Sequence, residues 1–184
     1  NYCMHLTAGS LEELVNMQKK YADILKEDCK MDSILTGCGN SILAGYIYHK
    51  CSFCSNEGVA VDYSIHTGQV ECCFAIHEMI EILGILIDNA CESVLIQKRA
   101  DKRIRLEMKE EEKIIISVSN PTEYIPFSEI ENMFVCGYSS KGENRGIGLS
   151  RVKELANKYE ANIKVSNFWY DEENWINFTV EIVK

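Results

Sequence analysis

A long helix with a single apolar stripe constrains the fold more than any other feature of the sequence. Residues 75–99 are predicted to form this helix, and their apolar side chains fall in one broad sector of it. These side chains are Ile76, Met79, Ile80, Leu83, Ile87, Ala90 and Val94. Because such a stripe has to be buried, the helix must pack against a second layer of the protein.

Segments that alternate apolar and polar residues predict that this second layer is a β-sheet. Strands are expected at 59–65, 103–109, 113–120, 162–168 and 175–183, and shorter helices at 128–134 and 149–159. A sheet with helices on a single face is an α/β (α+β) two-layer sandwich, and this is the predicted fold class.

The N-terminal part of the chain shows a different pattern. An amphipathic helix that starts with a capping box is predicted at 10–28, and a second helical stretch covers about 41–55. We therefore expect partial dimerisation or linker helices at 1–57 and a compact domain at 58–184. The alternative is a helical extension that packs on its own domain.

Composition excludes several classes of partner and location. The net charge of −9 argues against a nucleic-acid partner, because proteins that bind phosphate backbones usually carry a basic surface. No segment approaches the roughly 20 apolar residues that span a bilayer. The chain begins at Asn1 and no signal peptide follows, so we expect it to be a piece of a longer protein.

The nine cysteines do not suggest a disulfide framework. Their number is odd, and Cys72 and Cys73 are adjacent, which favours reduced thiols in a cytosolic protein. Cys51 and Cys54, with His49 nearby, have the spacing of metal ligands. Because no second C-x-x-C pair completes a tetrahedral site, we interpret these two as reduced thiols as well.

A glycine-rich loop directly precedes the last predicted helix. Gly146 and Gly148 would let backbone N–H groups approach a phosphate at the helix N-terminus, where the helix dipole favours an anion. Ser139, Ser140 and Lys141 add two hydroxyl groups and a cation. A G-x-G pair before a helix is weak evidence alone, since many such pairs are turns and caps.

The polar sector of the long helix carries a second signal. It comprises Glu78, Glu81, Asp88, Asn89 and Glu92. A solvated helix face is the usual explanation of such a sector, but Ile85 lies in its middle and suggests that a loop or a ligand covers it. Asn89 can offer a carbonyl oxygen to a hard cation and an amide N–H to a phosphate.

Taken together, these two segments resemble the motifs of the GHKL ATPase superfamily. ILGILIDNACES (82–93) resembles its N-box, and residues 139–165 resemble its G2 box with the helix and strand that follow. The form S-S-K-G-x-N-R-G-I-G-L is most similar to quorum-sensing sensor histidine kinases. The resemblance covers about 58–184 and implies a Bergerat-type catalytic domain that binds ATP and Mg²⁺.

The resemblance also implies roles for individual residues in an ATP pocket between the long helix and the glycine loop. Asn89 would bind Mg²⁺, with Asp88 and Glu92 beside it. Asn120 takes the place of the aspartate that reads the adenine amino group in the family's D-x-G-x-G motif, which this sequence lacks. The phosphate cradle and lid would comprise Ser139, Ser140, Lys141, Gly142, Gly146, Ile147, Gly148 and Leu149.

The activity implied by the resemblance is that of an ATP-dependent protein-histidine kinase. The domain would transfer the γ-phosphoryl group to a histidine on the dimerisation helix of a homodimer, and from there to a response regulator. Ile85 stands where ATP-hydrolysing members carry a general-base glutamate, which disfavours hydrolysis. The acceptor histidine is expected upstream of this chain, with His5 as a second candidate.

The resemblance leaves two alternatives and implies a location. The domain could be a catalytically silent nucleotide-binding module, or an anti-sigma-like serine kinase of the same superfamily. A sensor region upstream of this chain would hold the protein at the membrane, and the chain itself would be its cytoplasmic domain.

Overall fold

The structure is a computed structural model that describes residues 29–68, 74–97, 101–135 and 147–184. Five helices and five strands follow one another in the described chain: α1 (29–38), α2 (Ser41–Asn56), β1 (Ala60–His66), α3 (Ile76–Ile96), β2 (Arg103–Glu110), β3 (Lys113–Pro121), α4 (Phe127–Asn132), α5 (Gly148–Lys158), β4 (Asn162–Tyr170) and β5 (Glu173–Val183). The helix predicted at 10–28 lies outside the described residues.

The strands form one five-stranded sheet in the order β1-β2-β3-β5-β4. β1 pairs with β2 in parallel, and the other three pairs of neighbours are antiparallel. The parallel pair requires a crossover, and α3 supplies it, as a connection between parallel strands usually does. α3 thereby lies across the face of the sheet, so the predicted two-layer fold is confirmed.

Alternation along the central strands directs one set of side chains toward the helices. On β2, Ile104, Leu106 and Met108 are fully buried, whereas Arg105 and Glu107 between them are not. The stripe of α3 covers this apolar face with side chains that include Met79 and Leu83, both fully buried. The sheet and α3 therefore form the main core. Burial of apolar surface stabilises the folded state by about 25 cal/mol per Å².

The N-terminal helices share that core. Ile34 of α1 and Leu43, Ile47 and Cys54 of α2 are fully buried in one cluster with the side chains of α3 and the sheet. This packing fits the alternative of a helical extension on its own domain, because a boundary after residue 57 would cut through a single core. Dimerisation through residues 1–28 stays a prediction, since they lie outside the described part.

Gly37 marks the closest approach between α1 and β1, and we expect Gly37→Ala to destabilise the fold. A Cβ atom there would lie 2.1 Å from the backbone carbonyl oxygen of Ile65, so the helix and the strand would have to separate. We expect the free energy of unfolding, measured by urea denaturation, to fall by about 2–4 kcal/mol.

Gly45→Ala is the matched control for this substitution. A Cβ atom at Gly45 would meet nothing within 4 Å, and alanine favours a helix by about 1 kcal/mol over glycine. The control should therefore be neutral or stabilising. Equal stability of the two variants would contradict the close packing of α1 on β1.

Candidate functional site

The start of α5 covers the polar sector of α3. A Cβ atom at Gly148 would lie 3.0 Å from Cγ2 of Ile85 and 4.0 Å from Nδ2 of Asn89. The backbone at Gly148 therefore lies close to the side chains of Ile85 and Asn89. Ile85 is half-buried at this contact, which explains an isoleucine among polar residues. A side chain at position 148 would push α5 away from α3.

Two ion pairs hold α5 along α3. Arg151 donates from Nε and Nη2 to the two carboxylate oxygens of Glu81, at 2.8 and 3.2 Å. Two turns further along α5, Lys158 Nζ lies 2.7 Å from Glu78, which also accepts a hydrogen bond from the Tyr159 hydroxyl group. These contacts fix the position of α5 along α3, and with it the position of Gly148 at the start of α5.

The same partners change the titration of the two carboxyl groups. Hydrogen bonds from Lys158 and Tyr159 hold the pKa of Glu78 below its ordinary value, and Arg151 has the same effect on the pKa of Glu81. Both carboxylates are therefore charged at neutral pH and engaged with α5. In the sequence they are only part of a polar sector, because their partners lie 70 and 80 residues away.

The N-terminus of α5 points its unpaired backbone groups toward the site. The first N–H groups of an α-helix have no intrahelical acceptor, and no side chain caps α5 within the described residues. Leu149 packs on the core, whereas Ile147 is 66% exposed at the mouth of the site. Such a terminus favours an anion through its N–H groups and the helix dipole.

Asn120 lies at the end of β3 and is only 2% exposed. Its Nδ2 donates to Oγ of Ser93 on α3 at 3.2 Å and to the backbone oxygen of Pro121 at 3.0 Å. The Pro121 oxygen can only accept, so the amide nitrogen must face it and the Oδ1 atom is directed elsewhere as an acceptor. Sequence reasoning placed Asn120 in the site but missed Ser93, one turn after Asn89.

The two acidic neighbours of Asn89 lie on the side of α3 that is next to α2. Both carboxylate oxygens of Asp88 lie 2.7 Å from Nζ of Lys50 on α2, so Asp88 faces α2. Glu92 is exposed, and with Asp88 it lines a cleft of about 520 Å³ between α2 and α3. Contact of these two residues with a nucleotide stays a prediction.

Part of the predicted site lies outside the described residues. This holds for five loop and lid residues, Ser139, Ser140, Lys141, Gly142 and Gly146, and for the candidate acceptor His5. Within the described ranges, no group of three or more His, Cys, Asp or Glu side chains could hold a metal ion. The role of Asn89 as a ligand of Mg²⁺ stays a prediction.

The cysteines with metal-like spacing belong to the core. Cys51 and Cys54 face inward from α2, while His49 is exposed. Burial raises the pKa of the Cys51 thiol to about 11 and raises that of the Cys54 thiol as well. Protonated, buried thiols are poor metal ligands and poor nucleophiles, so the two side chains contribute to packing.

Comparison with known proteins places this geometry in a family. A family model described as the GHKL domain matches residues 74–182. The sensor protein CitS of Bacillus subtilis (strain 168) is 30% identical over 166 residues, which is 88% of this chain and 30% of that protein. This chain thus spans about a third of its curated relative.

Solved structures show the same fold. Two nucleotide-free crystal forms of the catalytic domain of histidine kinase ThkA superpose with TM-scores of 0.60 and 0.59, at 16% and 17% identity. The alignments cover 76% and 77% of this chain and 91% and 95% of the ThkA chains. The similarity therefore extends over nearly the whole of the ThkA domain.

The chain belongs to the GHKL domain family, as its two motifs predicted. The fold, and the interpretation as a GHKL ATP-binding catalytic domain of the sensor histidine kinase type, are confirmed. Assignment to the quorum-sensing subgroup stays a prediction. Within the described residues, no helix is both long and apolar enough to cross a bilayer.

Proposed function

We propose that this chain binds Mg²⁺–ATP between α3 and α5 and supplies the ATP-binding half of a protein-histidine kinase reaction. One observation carries the proposal: Gly148, at a helix N-terminus that no described side chain caps, lies close enough to Asn89 that a Cβ atom there would be 4.0 Å from its Nδ2. An anion-binding helix terminus and a hard-oxygen ligand are thus adjacent, which is what a nucleotide triphosphate with its cation requires.

Each group in this pocket has a distinct role. Asn89 would hold Mg²⁺, which would supply charge neutralisation to the phosphates, and backbone N–H groups at Gly148 and around Gly146, which lies outside the described residues, would bind the phosphates. Asn120 would accept a hydrogen bond from the adenine amino group through Oδ1. Ser140 and Lys141 lie outside the described residues, and their role as a lid over the phosphates is what the sequence resemblance implies. Phosphoryl transfer depends on positioning and on charge stabilisation, and this pocket provides both.

The phosphoryl group passes to a histidine that lies outside the described residues. A neutral imidazole nitrogen of that histidine bonds to the γ-phosphorus while the bond to the β–γ bridging oxygen breaks. ADP leaves with the electron pair of that bond, and the nitrogen of the product carries the phosphoryl group. Hydrolysis is disfavoured because the half-buried Ile85 offers no carboxylate to activate water.

The partners and the location follow from this reaction. The phosphohistidine donates its phosphoryl group to a response regulator, and the kinase works as a homodimer joined through helices upstream of α1. The chain is the cytoplasmic part of a protein that reaches the membrane through a sensor region beyond it.

Labelling of the full-length protein with γ-labelled ATP tests the reaction. We expect one labelled histidine, recognised because phosphohistidine is stable to alkali and labile to acid. An acid-stable phosphoserine would indicate the serine-kinase alternative. ATP binding without any label, in the presence of the response regulator, would indicate the silent nucleotide-binding module.

A further inference from the structure

Lys50 brings a positive charge to the N-box helix from outside the GHKL segment. It lies on α2, before the matched residues 74–182, and its Nζ is 2.7 Å from each carboxylate oxygen of Asp88. Only 18% of the Lys50 side chain is exposed. Asp88 immediately precedes Asn89, so this ion pair lies beside the site where the triphosphate is proposed to bind.

The surroundings of the pair are otherwise acidic. The described lining of the cleft between α2 and α3 contains three carboxylates, of Glu57, Asp88 and Glu92, and Lys50 is its one permanently cationic side chain. A carboxylate within about 10 Å of a polyphosphate repels it measurably at physiological ionic strength. Without Lys50, the net negative charge next to Asn89 would increase by one.

Neighbouring groups hold Lys50 in place and keep it charged. Nζ lies 5.8 Å from the centre of the Tyr46 ring, and that tyrosine packs so closely on α3 that a Cβ atom at Gly84 would lie 2.3 Å from its hydroxyl oxygen. Burial alone would lower the pKa of Lys50, but the hydrogen bond and the charge of Asp88 raise it above its ordinary value. Lys50 is therefore a fixed cation at neutral pH.

We propose that Lys50 is a positioning residue for nucleotide binding, which neutralises Asp88 so that the N-box face accepts the triphosphate. By engaging both oxygens of Asp88 it also keeps that carboxylate turned toward α2. This inference rests on the proposed function. It adds a residue of α2 that the N-box and G2 motifs do not contain.

The test measures Mg²⁺–ATP affinity by calorimetry in Lys50→Met. We expect the dissociation constant to rise about tenfold at low salt and the difference from wild type to shrink in about 0.5 M NaCl, because salt screens charge repulsion. Adding Asp88→Asn to Lys50→Met removes the uncompensated charge and should restore the affinity. Lys164→Met, which breaks an ion pair with Glu181 on the open sheet face, is the matched control.

The outcomes separate this inference from the proposed function. If wild type does not bind Mg²⁺–ATP, the proposed function fails, and this inference fails with it. If wild type binds and Lys50→Met binds equally well, only the inference is overturned. A loss that salt does not reduce and Asp88→Asn does not rescue would mean that Lys50 only supports the packing of α2, which also overturns it. Should Lys50→Met fold poorly, Lys50→Arg must keep the affinity while Lys50→Gln loses it.

Discussion

Asn89→Ala should weaken Mg²⁺–ATP binding about 100-fold, which corresponds to about 2.8 kcal/mol. The side-chain amide nitrogen of Asn89 on α3 lies 4.0 Å from the position that a Cβ atom of Gly148 would take at the start of α5. Its removal takes away the side chain that is proposed to hold Mg²⁺. Alanine favours the helix, so the fold should keep its stability.

Calorimetry of the variant with Mg²⁺–ATP checks this expectation, and urea unfolding checks the fold. Asn157→Ala is a suitable control, since Asn157 is exposed near the other end of α5 from Gly148. The control should bind as wild type does. Unchanged binding by Asn89→Ala would place the nucleotide elsewhere.

The second large effect concerns Asn120, where the family's usual residue is an aspartate. We expect Asn120→Asp to weaken ATP binding at least tenfold, although it restores the family pattern. The side chain is 2% exposed, and its amide nitrogen lies 3.0 Å from the Pro121 carbonyl oxygen. A carboxylate would place two acceptors against each other, and burying its charge costs several kcal/mol.

Asn177→Asp is the control for the chemical change itself. Asn177 lies on the adjacent strand β5, and its amide nitrogen donates to Oγ1 of Thr179 on the half-buried outer face of the sheet. The Asn177→Asp variant should bind ATP as wild type does. If Asn120→Asp bound ATP as tightly as wild type or more tightly, the orientation of the Asn120 amide derived from Pro121 would be wrong.

The layers of the fold could be predicted from local patterns. The stripe of α3 and the alternation along β2 and β3 both depend on near neighbours in the sequence, and both appear in the structure. The strand order could not be read in this way, because β5 lies between β3 and β4 only through long-range pairing. The sequence also could not predict what α2 packs against, because its apolar side fits a dimer interface as well as a core.

The same distinction between local patterns and long-range contacts applies to the candidate site. The two motifs pointed to α3 and the start of α5 as the two sides of a pocket, because each motif is a short run of residues with a recognisable spacing. The ion pairs that hold the helices of the site together cannot be recognised from short sequence motifs. Arg151 reaches Glu81 across 70 positions, and Lys50 reaches Asp88 across 38. Only the folded chain brings these charges within hydrogen-bonding distance.

The proposed function requires that Mg²⁺–ATP binds between α3 and the start of α5. Titration of the ¹⁵N-labelled chain with a non-hydrolysable Mg²⁺–ATP analogue, followed by NMR, tests it most directly. We predict saturable shifts of the Gly148 and Leu149 backbone amides together with the side-chain amides of Asn89 and Asn120, while Asn157 stays unchanged. Absence of saturable shifts, or shifts confined to the cleft between α2 and α3, would contradict the claim.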